Sequence, residues 1–224
     1  RSSAASDVYK RQVLEYLDEL DPLCEKMGAS NTVVKTPEGK LVGYNTDGIG
    51  FIRSMERDGN VKIDENTYFC IGSGGAGRAM CSALAYYGAK KIYITDVFEE
   101  SSKALVEDIN KNFAPVAEFC PAGDFSKVKE ATVVLNASGI GMGSHIGENP
   151  LPKEFISKDQ FYFDACYNPA KTQFLLDAEE AGATILNGLG MSLYQGAAQI
   201  EYWTGQEPPI EAMRQKLLDI ISEK

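Results

Sequence analysis

The chain has 224 residues, 44% hydrophobic and 24% charged, which fits one large globular domain or one domain with part of another. A formal net charge of −10 argues against nucleic acid or an anionic membrane as partner, and no apolar run is long enough to span a bilayer. Cys24, Cys70, Cys81, Cys120 and Cys166 are scattered, odd in number and without C-x-x-C spacing. They read as reduced, mostly buried thiols of a cytoplasmic protein and not as metal ligands. The single histidine, His145, lies in a Gly-rich loop and reads as a surface residue. No metal site is expected.

Residues 1–12, RSSAASDVYKRQ, lack apolar periodicity and do not look like a folded segment. They resemble the translated end of a transposon-type sequencing adapter and read as a non-native leader. Residues 13–57 follow as a first unit. Apolar positions at Val13, Leu14, Tyr16, Leu17, Leu20, Leu23 and Met27 have helical spacing, with Pro22 kinking or dividing the helix. Residues 31–34 and 40–44 flank the turn signal Thr36-Pro37-Glu38-Gly39 and predict a hairpin. Asn45-Thr46-Asp47-Gly48 then opens a helix to about Arg57, capped by Asn45 or Thr46, with Asp47 favoured in its first turn.

Residues 58–188 form a second unit. Its organising stretch is an apolar run, 68–71, leading into Gly72-Ser73-Gly74-Gly75-Ala76-Gly77 and then a helix-forming run. In that strand–turn–helix setting the G-x-G-x-x-G spacing is a dinucleotide fingerprint. Gly72 permits the tight turn, Gly74 lets the backbone approach a pyrophosphate, and Gly77 lets helix and strand pack. Asp96 ends the next apolar run, where an acid would hold a ribose 2′-hydroxyl and repel a 2′-phosphate. Val97, Phe98, Glu99 and Glu100 include no cation to neutralise such a phosphate, so the cofactor expected is NAD, with NADP disfavoured. The alternative role for Asp96 is to cap a helix beginning near Ser101. Further apolar runs at 92–95, 116–119, 132–136, 161–165 and 184–186 alternate with helical segments, which predicts a parallel, doubly wound sheet. Residues 189–224 close the chain with helices at 191–202 and 210–221, separated by Gly205 and Pro208-Pro209.

Several motifs in order resemble the shikimate dehydrogenase family, which includes the quinate/shikimate dehydrogenases. They are Gly28-Ala29-Ser30-Asn31-Thr32, Asn45-Thr46-Asp47-Gly48, the glycine loop, Asn136-Ala137-Ser138-Gly139-Ile140-Gly141-Met142, and Asp164-Ala165-Cys166-Tyr167-Asn168-Pro169. Gly188-Leu189-Gly190-Met191, Gln195-Gly196-Ala197 and Trp203-Thr204-Gly205 complete the series. The resemblance implies an α/β fold: a Rossmann-like doubly wound parallel sheet, preceded by the remnant of an α/β substrate-binding domain to which the C-terminal helices return. It also implies reversible hydride transfer between a nicotinamide cofactor and a polyhydroxylated ring carboxylate, shikimate or quinate, with no second cofactor.

By the same resemblance, Asp47 and a lysine handle the hydroxyl proton, while Asn31, Asp47, Tyr167 and Gln195 contact the substrate. The cofactor would lie on Gly72, Ser73, Gly74, Gly75, Ala76, Gly77, Asp96, Ala137, Ser138, Ala165, Gly188 and Met191. Lys10 has the family lysine's separation from Asn31 and its K-x-x-V pattern, but Ser6 and Val8 stand where the family has Thr and Pro. Lys10 is thus a catalytic candidate inside a segment that reads as a leader, and the chain reads as an N-terminally truncated copy. A homodimer is compatible with the sequence. The alternative function is a non-catalytic dinucleotide-binding fragment lacking the lysine segment.

Overall fold

The computed structural model describes residues 9–222, without the side chain of Ser222. The larger of its two sheets contains β4 (Thr67–Ile71), β5 (Lys91–Thr95), β6 (Ala117–Phe119), β7 (Val133–Asn136), β8 (Phe161–Asp164) and β9 (Thr184–Asn187). All neighbouring pairs are parallel, in the order β6-β5-β4-β7-β8-β9. The chain moves outward from β4 to β6, then returns to lay β7 against the other side of β4. This reversal opens a crevice at the carboxyl ends of β4 and β7, the switch point of a doubly wound sheet.

The strands read as continuous apolar runs because both faces of the sheet are covered. Tyr68, Cys70, Ile92, Ile94, Val133, Leu135 and Phe163 point to one face, where three helices cover them: Thr46–Arg57, Gly75–Tyr86 and Glu99–Asn112. Phe69, Ile71, Tyr93, Val134 and Tyr162 point to the other, under the Gln173–Glu180 helix and a 3-10 turn at Ser126–Glu130. Phe51 meets Phe163 edge-on with ring centroids 5.1 Å apart, which seats the Thr46–Arg57 helix on β8. Among the described residues no helix is long and apolar enough to cross a membrane.

The first unit departs from the sequence expectation in two places. The long helix over 13–27 is absent. In its place stand a 3-10 turn (Val13–Tyr16), the two-residue strand β1 (Glu19–Leu20) and a helix at Pro22–Met27. Pro22 begins that helix where it was expected to kink or divide one. Its missing N–H costs nothing at the first helical position, and the Asp21 carboxylate caps the Leu23 and Cys24 N–H groups at 3.0 and 3.4 Å. The second difference falls in residues 1–12, which are expected not to be a folded segment. Tyr9–Gln12 is helical, and the Lys10 carbonyl accepts a hydrogen bond from Ser30 N at 2.8 Å. The rest of that segment, residues 1–8, lies outside the described residues.

The expected hairpin is present. β2 (Thr32–Lys35) pairs antiparallel with β3 (Leu41–Tyr44), and β1 adds parallel to the other side of β3. The Leu189–Thr204 helix returns to this unit. Its Glu201 takes a two-pronged ion pair from Arg53 at 2.7 and 3.0 Å, Trp203 Nε1 donates to the Val33 carbonyl, and Tyr202 stacks on Tyr44 at 4.0 Å. The Thr46–Arg57 and Leu189–Thr204 helices cross in backbone contact at Gly50. A Cβ there would lie 2.5 Å from the Met191 carbonyl oxygen and 2.7 Å from Gln195 N. Gly50→Ala is therefore expected to cost about 1–3 kcal/mol of stability by overpacking, read as a lowered thermal midpoint. An unchanged midpoint would show that the helices can separate freely.

Candidate active site

Five strands of the large sheet end level. The register pairs Ile71 with Thr95 and Asn136, Asn136 with Asp164, and Asp164 with Asn187. The residues that follow these ends are Gly72, Asp96, Ala137, Ala165 and Gly188, all of them cofactor candidates from the sequence. They form one row along the mouth of the crevice, where open α/β sheets bind their ligands.

The glycine loop has the shape a pyrophosphate needs. At Gly77 a Cβ would fall 2.0 Å from the Gly72 carbonyl oxygen, and at Gly188 one would fall 2.0 Å from that of Ala165. Side chains at either position would push apart the walls that backbone alone now forms. Gly74 is the N-cap of the Gly75–Tyr86 helix, which has neither a side-chain cap nor an acid in its first turn. Its leading N–H groups thus keep their capacity for an anion, and Gly74 and Ala76 are exposed on the rim beside half-buried Gly75. These features fit a dinucleotide.

Asp96 also ties down the glycine loop. One carboxylate oxygen accepts from Ser73 N at 2.6 Å and Ser73 Oγ at 2.8 Å, and the other accepts from Phe98 N at 2.9 Å. The alternative role as cap of a helix near Ser101 is corrected. That helix begins at Glu99 with Phe98 as its N-cap, because Asp96 closes a tight turn ahead of it. Val97 and Phe98 are exposed, and Lys103, the first cation after Asp96, pairs with Glu99 and Glu100.

The other wall is held by a buried polar network. Asn136 Oδ1 accepts from Ser138 N and Oγ, while its Nδ2 donates to the Ile140 carbonyl and to Asp164. Asp164 also accepts from Cys166 N and Thr172 Oγ1. Burial raises the Asp164 pKa, and these hydrogen bonds oppose that rise. Together they fix the Ala137–Ser138 turn and the segment carrying Tyr167, which is 36% exposed. All five cysteines are buried and free. Burial pushes the Cys24 and Cys120 thiols up to about 11 and Cys166 up to about 12.

Across the crevice stand the residues assigned to proton transfer. Lys10 Nζ lies 2.6 Å from Asp47 Oδ2, with side chains only 25% and 14% exposed. Asn45 caps the helix carrying Asp47 by accepting from Gly48 N, and its amide donates to the Ala29 carbonyl. Asn31 sits beside this turn, its Oδ1 accepting from Thr46 N at 2.9 Å, while its Nδ2 is buried without a partner. Met191 is half-buried against the core and Gln195 is half-buried one turn later, both at the crossing with Gly50. The structure thus brings Lys10, Asp47 and Asn31 together and places Gln195 on the helix packed against them. Thr32, Thr46, Asn136, Thr172 and Gln199 escaped the sequence reading as site-organising residues. The position of Gln199, one helical turn after Gln195, was the available signal.

A family model described as the Shikimate 5'-dehydrogenase C-terminal domain matches residues 188–218. Over 215 residues the chain is 38% identical to a curated shikimate dehydrogenase (NADP(+)) of Bacillus cereus strain B4264, covering 94% of this chain and 76% of that protein. It is similar to the solved shikimate 5-dehydrogenase of Listeria monocytogenes in complex with shikimate and NAD: 36% identity, TM-score 0.87, 93% of this chain and 74% of that one. The quinate dehydrogenase of Corynebacterium glutamicum in complex with NAD matches at 32% identity and TM-score 0.87, over 94% and 75%. From the loop geometry, Gly77→Ala is expected to weaken NADH and NADPH binding alike by about tenfold or more, because the added methyl displaces the Gly72 carbonyl. Fluorescence titration of both nucleotides measures this, and unchanged affinities would dissociate the loop from the cofactor.

Proposed function

This chain belongs to the shikimate dehydrogenase family, and we propose that it interconverts shikimate and 3-dehydroshikimate, or quinate and 3-dehydroquinate, with NAD preferred over NADP. The observation that carries the catalytic reading is the Lys10–Asp47 pair at 2.6 Å, beside Asn31 and the cofactor crevice. Oxidising a ring alcohol removes a hydride from carbon and a proton from oxygen. A nicotinamide bound on the row of strand ends would supply the hydride chemistry. The proton falls to this chain's own residues.

Lys10 Nζ can exchange that proton with the reacting oxygen, acting as general acid when a ketone is reduced and as acceptor when the alcohol is oxidised. The Asp47 carboxylate fixes the direction of the ammonium group and retains lone pairs for a neighbouring hydroxyl. The unpartnered Asn31 Nδ2 supplies a donor to a second ring hydroxyl, which would relieve a buried, unsatisfied amide. Gln195 and Tyr167 are proposed to contact the ring from the C-terminal helix and from the segment after β8.

The preference for NAD rests on Asp96. Its carboxylate suits a ribose diol, and a 2′-phosphate there would face Asp96, Glu99 and Glu100, with Lys103 already paired to both glutamates. Buried, unpaired thiols suit a reducing compartment, and we place the protein in the cytoplasm.

Two measurements test these readings. Titration with NADH and NADPH is expected to show tighter NADH binding by about tenfold or more, a difference of roughly 1.4 kcal/mol. Preference for NADPH would remove the argument from Asp96. Asp47→Asn is expected to lower kcat by about 10²- to 10⁴-fold while leaving NADH affinity unchanged. Nucleotide binding by the unaltered chain with no turnover on shikimate or quinate would instead favour a dinucleotide-binding module without catalysis.

A further inference from the structure

The donors and acceptors around Asn31 can be counted, and the count reaches beyond the site. Asn31 Oδ1 accepts from Thr46 N at 2.9 Å, Thr46 Oγ1 at 3.1 Å and Thr32 Oγ1 at 3.0 Å. Each threonine hydroxyl has a single proton. With that proton directed at Asn31, each hydroxyl oxygen can only accept from elsewhere. The matching donor is Gln199 Nε2, 3.3 Å from Thr32 Oγ1 and 3.4 Å from Thr46 Oγ1. Its two protons meet two acceptors.

We propose that Gln199 is a positioning residue for substrate binding: acting through Thr32 and Thr46, it reinforces the orientation of the Asn31 amide that the Thr46 N–H sets. The inference rests on the reading of Asn31 as a ring contact. Amide oxygen and nitrogen are nearly the same size, so shape alone does not choose between the two orientations of an asparagine. The choice here comes from three donors converging on Oδ1. Two of those three hold their direction because Gln199 occupies the other side of each hydroxyl. Without it, one hydroxyl is free to donate to the other, 3.4 Å away, and Asn31 Oδ1 loses one of its three donors.

The consequence is a site that reads hydroxyl polarity. With Oδ1 engaged, Asn31 presents only its NH2, and Nδ2 is the one buried side-chain amide nitrogen without a partner among the described residues. A ring hydroxyl bound there accepts from Asn31 and keeps its own proton for an acceptor. The carboxylate of Asp47, the residue after Thr46, is such an acceptor. The ligand chemistry selected is a ring hydroxyl that accepts on one side and donates on the other. A ring position bearing only a C–H would leave Nδ2 buried and unpaired.

The test uses the full chain, with KM and kcat for shikimate and the affinity for NADH measured together. Gln199→Leu is expected to raise the shikimate KM by about three- to tenfold, the range for one displaced hydrogen bond, with kcat within about twofold and NADH affinity unchanged. Thr32→Val is expected to reproduce the rise without altering the C-terminal helix, and Thr32→Ser to rescue it by restoring the hydroxyl. In an Asn31→Ala background, Gln199→Leu should add nothing further. An unchanged KM in Thr32→Val, or the same rise from Gln199→Leu with and without Asn31, would overturn the positioning role and make Gln199 a direct contact or a packing residue. Failure of the underlying reading looks different: Asn31→Ala leaves KM unchanged, or the unaltered chain shows no turnover, and the inference falls with it.

Discussion

The distance across the crevice is set by one backbone contact, the crossing of the Thr46–Arg57 and Leu189–Thr204 helices at Gly50. No side chain separates the helices there, and Met191 and Gln195 lie directly opposite. Asp47 is three residues before Gly50, on the same side of its helix. The helix that carries Asp47, the proposed proton-handling acid, is thereby locked to the helix that carries residues assigned to substrate and cofactor. The Arg53–Glu201 ion pair and the Tyr44–Tyr202 stack lie along the same interface and hold its angle. Residues far apart in sequence depend on this one close approach for their mutual positions.

Two polar networks, one at the ends of β7 and β8 and one at the start of the Thr46–Arg57 helix, are built on different principles. On the sheet side, the buried carboxylate of Asp164 gathers donors from Asn136, Cys166 and Thr172, so one charge organises two turns. On the helix side, the neutral amide oxygen of Asn31 gathers its donors. In the first network each oxygen of the buried carboxylate has a partner. The second leaves one amide nitrogen unsatisfied, at the point where a ring hydroxyl is proposed to bind.

Much of this was legible in the sequence. Strands buried on both faces announce themselves as short apolar runs, and all six runs from 68 onward became strands of one parallel sheet. The glycine spacing located the loop, and Asp96 the end of the next strand. The failures share a physical cause. β1 is two residues long and is made by pairing with β3, so no local periodicity could reveal it. Pro22 was read as an interruption because the apolar spacing ran through it, although Asp21 ahead of it is a helix-start signal. Tyr9–Gln12 looked structureless by composition, yet Lys10 is held by Asp47 and by Ser30 through contacts that composition does not encode. Gln199 was invisible for a similar reason: its role depends on two hydroxyls more than 150 positions away.

The three hydrogen bonds of Asp96 bear on how such a protein can change. The carboxylate that faces the proposed ribose site also ties down the backbone and hydroxyl of Ser73, inside the glycine loop, before any ligand arrives. Its orientation is therefore paid for by folding, and the nucleotide meets a ready-made surface. The proposed selectivity and the order of the loop therefore rest on the same side chain. Exchanging this acid for a residue tolerant of phosphate would also remove the two hydrogen bonds that hold Ser73 in the glycine loop. A change of dinucleotide made at the end of β5 would therefore call for another anchor for Ser73 within the loop.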